Sequence, residues 1–216
     1  MTGVARDWPL FNIRVRTPRL EIRLPTDDDL PGLIDEIVAG IHDPATMPFT
    51  KEWTDVASPL RERESLQWWW RQRAEWTPAK WVFTGAVFLD GVPIGVQDMG
   101  AENFAALRTF ETGSWIGLRH QGSGIGKEMR AAVLHLGFAG LGAVEAYSGA
   151  WHDNSHSLGV SRALGYEHNG QTLALRRGRP ELQIKLRLTR ASWEETRRDD
   201  IVIEGLGPCL ELFGAV

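Results

Sequence analysis

The spacing of apolar residues predicts alternating strands and helices in the first part of the chain. Residues 19–24 alternate apolar and polar side chains, which is the pattern of a half-buried strand. Apolar side chains then recur at helical spacing over residues 30–38, after a Pro-Thr-Asp turn that supplies an N-cap. Residues 40–57 have the mixed polarity of a loop, and Ser58-Pro59 opens a second predicted helix that runs to residue 76.

The middle of the chain predicts a hairpin followed by a strand–helix–strand unit. Residues 81–89 and 92–99 are apolar runs joined at Asp90-Gly91, which is a strong hairpin signal. Residues 110–118 form a further predicted strand that leads through a glycine turn into a helix over residues 125–141. A strand over residues 144–150 follows, and a right-handed crossover would make these two strands parallel.

The last part of the chain predicts a short helix and a closing pair of antiparallel strands. The helix spans residues 154–164 and stops at Gly165, and the strands span residues 166–175 and 182–188. The whole pattern predicts a single α/β domain with a mixed, mostly antiparallel sheet and helices on both faces. We expect the domain to cover residues 1–188, with a tail over residues 189–216, a short helix and an apolar segment, docked on it.

Composition narrows the class of protein. The chain has 216 residues, enough for one domain with a proper core, and a net charge of −4 argues against a nucleic-acid binder. The strongest local basic patch, Arg176, Arg177 and Arg179, is interpreted as a solvated turn between two strands. A single cysteine, no signal-peptide pattern and no apolar run of membrane-spanning length predict a cytoplasmic protein that does not bind membranes.

The glycine turn before the predicted helix of residues 125–141 carries the strongest functional signal. Gly122, Gly124 and Gly126 let the backbone approach a ligand without an intervening Cβ. The helix that follows directs its unpaired N–H groups and positive dipole end to the same place, which suits a phosphate or pyrophosphate. The alternative is a purely structural corner between a strand and a helix.

Two motifs in the right order give the chain a resemblance to a known family. Residues 121–126 read Gln-Gly-Ser-Gly-Ile-Gly after a central strand, and about thirty residues later residues 152–157 read His-Asp-Asn-Ser-His-Ser before Leu164-Gly165-Tyr166. Together they resemble the acetyl-CoA-binding motif and the second signature of the GNAT N-acetyltransferases, over roughly residues 17–188. The opening residues 17–20, Thr-Pro-Arg-Leu, and the Asn-x-x-Ser motif most resemble the RimJ/RimL branch.

The resemblance implies the GNAT acyl-CoA N-acyltransferase fold, with acetyl-CoA as the acetyl donor. The N–H groups of residues 122–127 would hold the pyrophosphate, the edge of residues 114–118 would pair with pantetheine, and Ile116 would polarise the thioester carbonyl. Asn154 would bond pantetheine or act as an N-cap, and Ser157 would donate to the departing thiolate. The donor-binding residues implied are Ser114, Ile116, Gly117, Leu118, Gln121, Gly122, Ser123, Gly124, Ile125, Gly126, Lys127 and Asn154.

The general base for the amine has three alternatives. Rim-type enzymes keep a glutamate near the position that Arg176 holds here, so we expect Glu111, then Glu181, or a chain of waters to serve instead. His152 and His156 have the i, i+4 spacing of metal ligands but no partner in a recognisable motif, and we predict no metal.

The sequence therefore predicts direct acetyl transfer from acetyl-CoA to a primary amine, either a protein N-terminus or a small molecule. The alternative is a non-catalytic acyl-CoA sensor or assembly module. We expect the loop of residues 40–57 and the tryptophans near residues 68–76 to shape the acceptor side. The consecutive Trp68, Trp69 and Trp70 cannot all share one helix face, and the apolar tail could support a homodimer.

Overall fold

The computed structural model describes residues 3–216, in which nine strands form one sheet. The strands are β1 (Arg14–Arg16), β2 (Leu20–Arg23), β3 (Lys80–Leu89), β4 (Val92–Glu102), β5 (Thr109–Ile116), β6 (Glu145–Trp151), β7 (Glu167–Arg176), β8 (Arg179–Thr189) and β9 (Val202–Glu204). Their order across the sheet is β7-β8-β6-β5-β4-β3-β2-β1-β9. Only β5 and β6 run parallel, and every other neighbouring pair in this part of the chain is antiparallel. The predicted mixed, mostly antiparallel sheet is confirmed.

Helices cover both faces of the sheet. They are α1 (Val4–Asp7), α2 (Leu30–Ala39), α3 (Leu60–Ala74), α4 (Phe104–Leu107), α5 (Ile125–His135), α6 (Ser155–Ala163) and α7 (Arg190–Thr196). Leu33 of α2 and Trp69 of α3 share a core with Phe88 on one face. Met129 of α5 belongs to the larger core on the opposite face, together with Phe110. The predicted α/β layering with helices on both faces is confirmed.

Turns and helix ends follow the sequence closely. Asp90 and Gly91 both have positive φ, 51° and 80°, as the predicted tight hairpin between β3 and β4 requires. The second helix begins at Leu60, slightly later than predicted, and Ser58 Oγ donates to a Glu62 carboxylate oxygen at 2.6 Å. The helix over residues 125–141 keeps α-helical form only to His135 and continues as a wider turn, Leu136–Gly140.

The three consecutive tryptophans of α3 divide between the core and the surface. Trp69 is buried under α2, whereas Trp70 is 48% exposed and its indole N–H lies 3.4 Å from a carboxylate oxygen of Asp27. One exposed member is what the helical periodicity requires.

The tail after β8 joins the sheet and the main core. β9 pairs with β1 at the sheet edge, and the indole of Trp81 donates to the carbonyl of Phe213 at 3.0 Å. Cys209 and Phe213 are fully buried in the larger core. The division of the chain at residue 188 stays a prediction. Among residues 3–216, no helix is both long and apolar enough to cross a membrane.

Candidate active site

A wedge opens in the middle of the sheet where the two parallel strands separate. β5 and β6 pair only over Thr109–Glu111 and Glu145–Tyr147, although β5 continues to Ile116 and β6 to Trp151. The other edge of β5 stays paired with β4 as far as Ile116. Backbone groups of β5 that would have paired with β6 therefore face an open wedge.

The ladder alternation identifies which backbone amides face the wedge. Gly117 N–H donates to Ile94 on β4, and in an antiparallel pair the hydrogen-bonded residues alternate along the strand. Odd-numbered residues of β5 therefore bond to β4, and the N–H groups of Ser114 and Ile116 point the other way. The N–H groups of Gly117 and Leu118 are not available to a ligand. Gly117 N–H donates to the carbonyl of Ile94, and Leu118 N–H donates to the carbonyl of Gly40 at 3.0 Å.

The glycine turn delivers a helix N-terminus to the same wedge. Gly122 and Gly124 have φ of 77° and 80°, a left-handed conformation that costs other residues free energy. Gly124 is the N-cap of α5 and no side chain caps the helix, whose first backbone bond comes from Glu128 N–H. The N–H groups of residues 125–127 are therefore free of helical partners, and a helix end of this kind favours anions.

An arginine from the start of the domain lies against the glycine turn. Arg19 donates to the carbonyl of Ser123 at 3.1 Å and to Glu128 on α5 at 2.7 Å. Burial alone would raise the pKa of Glu128, but hydrogen bonds from Thr17 and Arg19 outweigh it and hold that pKa below its ordinary value. No local pattern indicates Arg19 as a cation near the turn, because 104 residues separate it from Ser123 in the chain.

The short helix α6 forms the opposite wall of the wedge. Asn154 is the N-cap of α6. The side-chain oxygen Oδ1 of Asn154 accepts a hydrogen bond from Ser157 N–H at 3.1 Å, which leaves the side-chain NH₂ group of Asn154 free. Ser157 Oγ has no hydrogen-bond partner within residues 3–216. Both residues line one cleft of about 1180 Å³ with the wedge and the glycine turn.

Comparison with known protein families identifies the family of this chain. Residues 19–167 match the model of the acetyltransferase (GNAT) domain. The chain belongs to the GNAT acetyltransferase family. The resemblance predicted from the two motifs is therefore confirmed.

Solved structures of the GNAT fold overlay most of the chain. RimJ of Mycobacterium smegmatis, in complex with CoA-disulfide, is 18% identical over 93% of this chain and 94% of that one, with a TM-score of 0.72. An acetyltransferase of the GNAT family from Bacillus anthracis is 15% identical over 82% of this chain and 99% of that one, with a TM-score of 0.66. A spermidine N-acetyltransferase SpeG chimera from Vibrio cholerae and hSSAT is 15% identical over 82% and 98%, with a TM-score of 0.65.

Most predicted donor-site residues lie together around the GNAT cleft. Those that line it are Ser114, Ile116, Leu118, Gln121, Gly122, Gly124, Gly126, Lys127 and Asn154, together with Glu111 and Ser157. Gly117, Ser123 and Ile125 do not line it; Ile125 is buried in the larger core. The Gln121 amide donates to the carbonyls of Ile41 and Ile116, so this side chain fastens the turn to its neighbours.

The loop of residues 40–57 closes one side of the cleft, and its role on the acceptor side stays a prediction. Trp151 on β6 donates to the carbonyl of Phe49 at 3.1 Å, and Gln183 on β8 donates to Thr50 at 2.9 Å. The tryptophans of α3 do not line the cleft because α2 and the sheet bury Trp69, so that part of the expectation was wrong. Trp115 of β5 lines it instead.

The loop is also fastened to the tip of the β7–β8 hairpin. Arg177 donates to both carboxylate oxygens of Asp55, at 2.7 and 2.8 Å, and to the carbonyl of Pro44 at 3.0 Å. Arg176 donates to Asp153 at 2.8 Å and lies over the Trp151 ring. Two of the three arginines of the patch, Arg176 and Arg177, are thus engaged with acids and carbonyls of their own chain, whereas Arg179 is exposed.

The candidate bases occupy different places. Glu111 lines the cleft, is exposed, and lies opposite Tyr147 in the parallel pair. Glu181 lies outside the lining, with a carboxylate oxygen 3.7 Å from His152 Nδ1. Within residues 3–216, no three His, Cys, Asp or Glu side chains form a group that could hold a metal.

Two titratable side chains near the cleft, one buried and one half-buried, had no signal in the sequence. Arg130 of α5 is 5% exposed, and burial lowers its pKa. Asp98 of β4 lies opposite Gly113, and burial raises its pKa to about 8. Each occupies a position where helical or strand periodicity predicts an apolar residue, so only tertiary packing could reveal them.

Proposed function

We propose that this chain is an acetyl-CoA-dependent N-acetyltransferase that moves an acetyl group directly to a primary amine. The observation that carries the proposal is the wedge. It places the free N–H groups of Ser114 and Ile116 beside the uncapped end of α5 and opposite Ser157.

The donor side suits acetyl-CoA in charge and in backbone geometry. The free amides of residues 125–127 provide a place for a pyrophosphate, and Arg19 and Lys127 add positive charge nearby. The unpaired edge of β5 offers hydrogen bonds to the two amide groups of a pantetheine arm, in the manner of an added strand. Asn154 keeps an NH₂ donor on the opposite wall.

The same groups provide the elements of acetyl transfer. A neutral amine attacks the thioester carbon, and the N–H of Ile116 stabilises the negative charge that develops on the carbonyl oxygen. The carbon–sulfur bond then breaks, its electron pair goes to sulfur, and Ser157 Oγ donates to the departing thiolate. The proton lost by the amine passes to Glu111 or through water to solvent.

Direct transfer agrees with the position of the cysteine. Cys209, the sole cysteine of the chain, lies in the tail outside the cleft lining, and burial raises the pKa of its thiol to about 11. A thiol of this kind is a poor nucleophile at neutral pH. We therefore assign no acetyl-cysteine intermediate, and both substrates occupy the cleft together.

The first test is thermal stability with acetyl-CoA, CoA and NADPH. A ligand that binds only the folded state raises the melting temperature, so we expect shifts with both CoA species and none with NADPH. Acetyl transfer to a panel of primary amines follows, including peptides with free N-termini and small polyamines. Folded protein with no shift for either CoA species would contradict the proposal.

One observation favours a second candidate, a non-catalytic acyl-CoA sensor or assembly module. Arg176, at the place where the Rim-type pattern has a glutamate, lines the cleft and pairs with Asp153. Binding of CoA without turnover on any amine of the panel would favour this candidate. Turnover that disappears in Ser157→Ala would favour the enzyme.

A further inference from the structure

A buried arginine connects the three elements that surround the wedge. Arg130 of α5 donates to Ser114 Oγ on β5 at 3.1 Å and approaches Ser148 Oγ on β6 at 3.4 Å. It also donates to Ser161 Oγ on α6 at 3.0 Å. The two strand serines follow the last paired residues of β5 and β6, so the guanidinium lies at the narrow end of the wedge.

The positive charge of Arg130 has no acidic partner in the part of the chain that the structure describes. No carboxylate of residues 3–216 lies within 4 Å of it, and its Nε–H has no acceptor. By contrast, the buried carboxylates of Glu36 and Glu128 each pair with an arginine. A buried cation without a counter-charge destabilises the folded state, and arginine keeps its proton under these conditions.

The arginine is also coupled to the helix turn that carries Ser157. Ser161 Oγ, which accepts from Arg130, donates to the carbonyl of Ser157 at 3.1 Å. Because Arg130 occupies an acceptor position on each serine hydroxyl, the hydroxyl protons of Ser114 and Ser148 remain free to point into the wedge. Arg130 itself lines the cleft.

The reaction of the proposed function creates one negative charge at this end of the cleft. Cleavage of the thioester leaves the electron pair of the carbon–sulfur bond on the sulfur of CoA, near Ser157. A fixed cation in a site that excludes water stabilises such a charge more than water does.

We propose that Arg130 is a positioning residue for the departing thiolate of CoA, whose uncompensated charge stabilises the sulfur anion and whose hydrogen bonds fix Ser114, Ser148 and the Ser157 turn. This inference rests on the proposed function. It assigns the missing counter-charge of Arg130 to a group that arrives with the substrate.

The test compares two ligands that differ only at sulfur, CoA and desulfo-CoA. If the bound thiol ionises more easily than the free thiol, CoA affinity rises with pH relative to desulfo-CoA, about tenfold for each unit by which binding lowers the thiol pKa. Other titratable and charged groups around the cleft are the same in wild type and in the Arg130 variant, so their effect on the sulfur cancels when the two ratios are compared. They are His42 and Asp43 of the loop, Glu111 on β5, Lys127 on α5, Tyr147 on β6, Asp153 and His156 at α6, Arg176 on β7, Lys185 on β8 and Tyr166 before β7.

Calorimetric affinities from pH 6.5 to 9.5 would be measured for wild type, Arg130→Met and Arg162→Met. Met keeps the volume of the aliphatic stem, and Arg162 provides a matched control because it is an exposed arginine of α6 outside the cleft lining. We expect a rise of tenfold or more in the affinity ratio for wild type and Arg162→Met, and a flat ratio for Arg130→Met. Desulfo-CoA should bind all three proteins within about threefold.

Three results would overturn the proposal. One is an equal rise in the ratio for wild type and Arg130→Met. Another is an equal loss of affinity for CoA and desulfo-CoA, which would give Arg130 a shaping role alone. The third is a loss of activity in Arg130→Met that is confined to acyl-CoA donors whose acyl chain ends in a carboxylate. That result would make the acyl carboxylate, and not the thiolate, the partner of the Arg130 charge.

A melting curve separates this role from a structural one. Removal of an unpaired buried charge should leave Arg130→Met as stable as wild type or more so. If Arg130→Met does not fold, Arg130→Gln keeps a donor for the serines and carries the same comparison. If neither CoA nor desulfo-CoA binds wild type, the proposed function fails and this inference with it.

Discussion

The two sides of the cleft differ in the groups that form them, which are mainly backbone groups on one side and side chains on the other. The proposed donor side consists mainly of backbone groups: the free N–H groups of Ser114 and Ile116 on β5, and the uncapped amides at the start of α5. The acceptor side consists of side chains from distant segments, where the loop of residues 40–57 meets β8 and the β7–β8 hairpin. Backbone geometry holds the first wall, and surface ion pairs and hydrogen bonds hold the second.

Each wall also lies over one titratable side chain without an ionic partner among residues 3–216, the charged Arg130 in one case and the protonated carboxyl of Asp98 in the other. Arg130 lies beneath the narrow end of the wedge, and Asp98 lies beside Gly113 on the face that carries Trp115. The difference in construction leads to separable effects. Changes on the donor side should alter acetyl-CoA binding or chemistry, whereas changes on the acceptor side should alter use of the amine.

The largest expected effect belongs to Ser157. Under the proposed function, Ser157→Ala should lower kcat by about 10²–10³, because a proton donor to a leaving group contributes that order of rate. CoA affinity should change less than threefold, since the hydroxyl bonds no residue that shapes the donor site. Steady-state kinetics and calorimetry would measure both.

Ser65→Ala provides the control for Ser157→Ala. Ser65 Oγ donates to a carbonyl within α3, outside the cleft lining, so its removal should leave both quantities unchanged. Equal small effects at Ser157 and Ser65 would remove Ser157 from the chemistry.

Asp98 should make stability depend on pH. Its folded pKa of about 8 lies above its unfolded value, so the folded state holds a proton that the unfolded state has lost. Stability is then greatest below the unfolded pKa and falls as pH rises towards 8. Between pH 5 and 7, wild type should lose about 2–3 kcal/mol more unfolding free energy than Asp98→Asn.

Urea unfolding of the two proteins at pH 5, 6 and 7 would measure this difference. Asparagine keeps the shape of the side chain and does not titrate, so the gap between the two curves isolates the carboxyl group. Parallel pH dependence in both proteins would mean that Asp98 is ionised in the folded state.

The proposed donor wall is built mainly from local motifs of the sequence, whereas the acceptor wall is held by contacts between distant segments, of which the sequence indicated only the loop of residues 40–57. A glycine turn, an N-cap and an uncapped helix start are set by a few adjacent residues, so Gly122, Gly124 and Asn154 were recognisable in the printed chain. The strand–helix–strand order predicted that β5 and β6 are parallel neighbours, but not that they separate after Glu111 and Tyr147. Arg177 meets Asp55 across more than a hundred residues, and no local pattern specifies that contact.

The same distinction applies within the motif. The Gly117 amide bonds to β4 and the Ile125 side chain enters the core, whereas the Ile125 N–H stays free of a helical partner. A motif identifies a segment, whereas the alternation of a ladder or a helix decides which of its residues face the ligand.

A comparison of two glycines would sharpen the role of the donor wall. Gly124 and Gly142 both have left-handed backbones, with φ of 80° and 76°, but only Gly124 lines the cleft. Alanine at either position should cost about 1–2 kcal/mol of stability through backbone strain. Only Gly124→Ala should also weaken acetyl-CoA binding, by about tenfold, because it moves the amides that face the phosphates.

Thermal melts and calorimetry on the Gly124→Ala and Gly142→Ala variants would provide the comparison. If both variants bound acetyl-CoA like wild type at a temperature where they are folded, the glycine turn would be a structural corner.

The smallest effect is expected when the contacts of Arg177 with the loop of residues 40–57 are removed. Arg177→Met removes the bonds to Asp55 and Pro44 that hold the loop of residues 40–57. The pair is solvent-exposed, so its loss should have only a small effect on the position of the loop. We expect the KM for the amine to be about twofold to fivefold higher in Arg177→Met than in wild type, with kcat and acetyl-CoA affinity unchanged.

Arg179→Met is the control, because Arg179 is an exposed arginine of the same hairpin outside the cleft lining. In a double-mutant cycle, Asp55→Asn should add little to Arg177→Met, since both remove one contact. Additive effects would mean that Arg177 and Asp55 act through separate contacts and not through their ion pair. An effect on acetyl-CoA affinity of similar size would mean that the two walls are not independent, and the contrast between a backbone wall and a side-chain wall would fail.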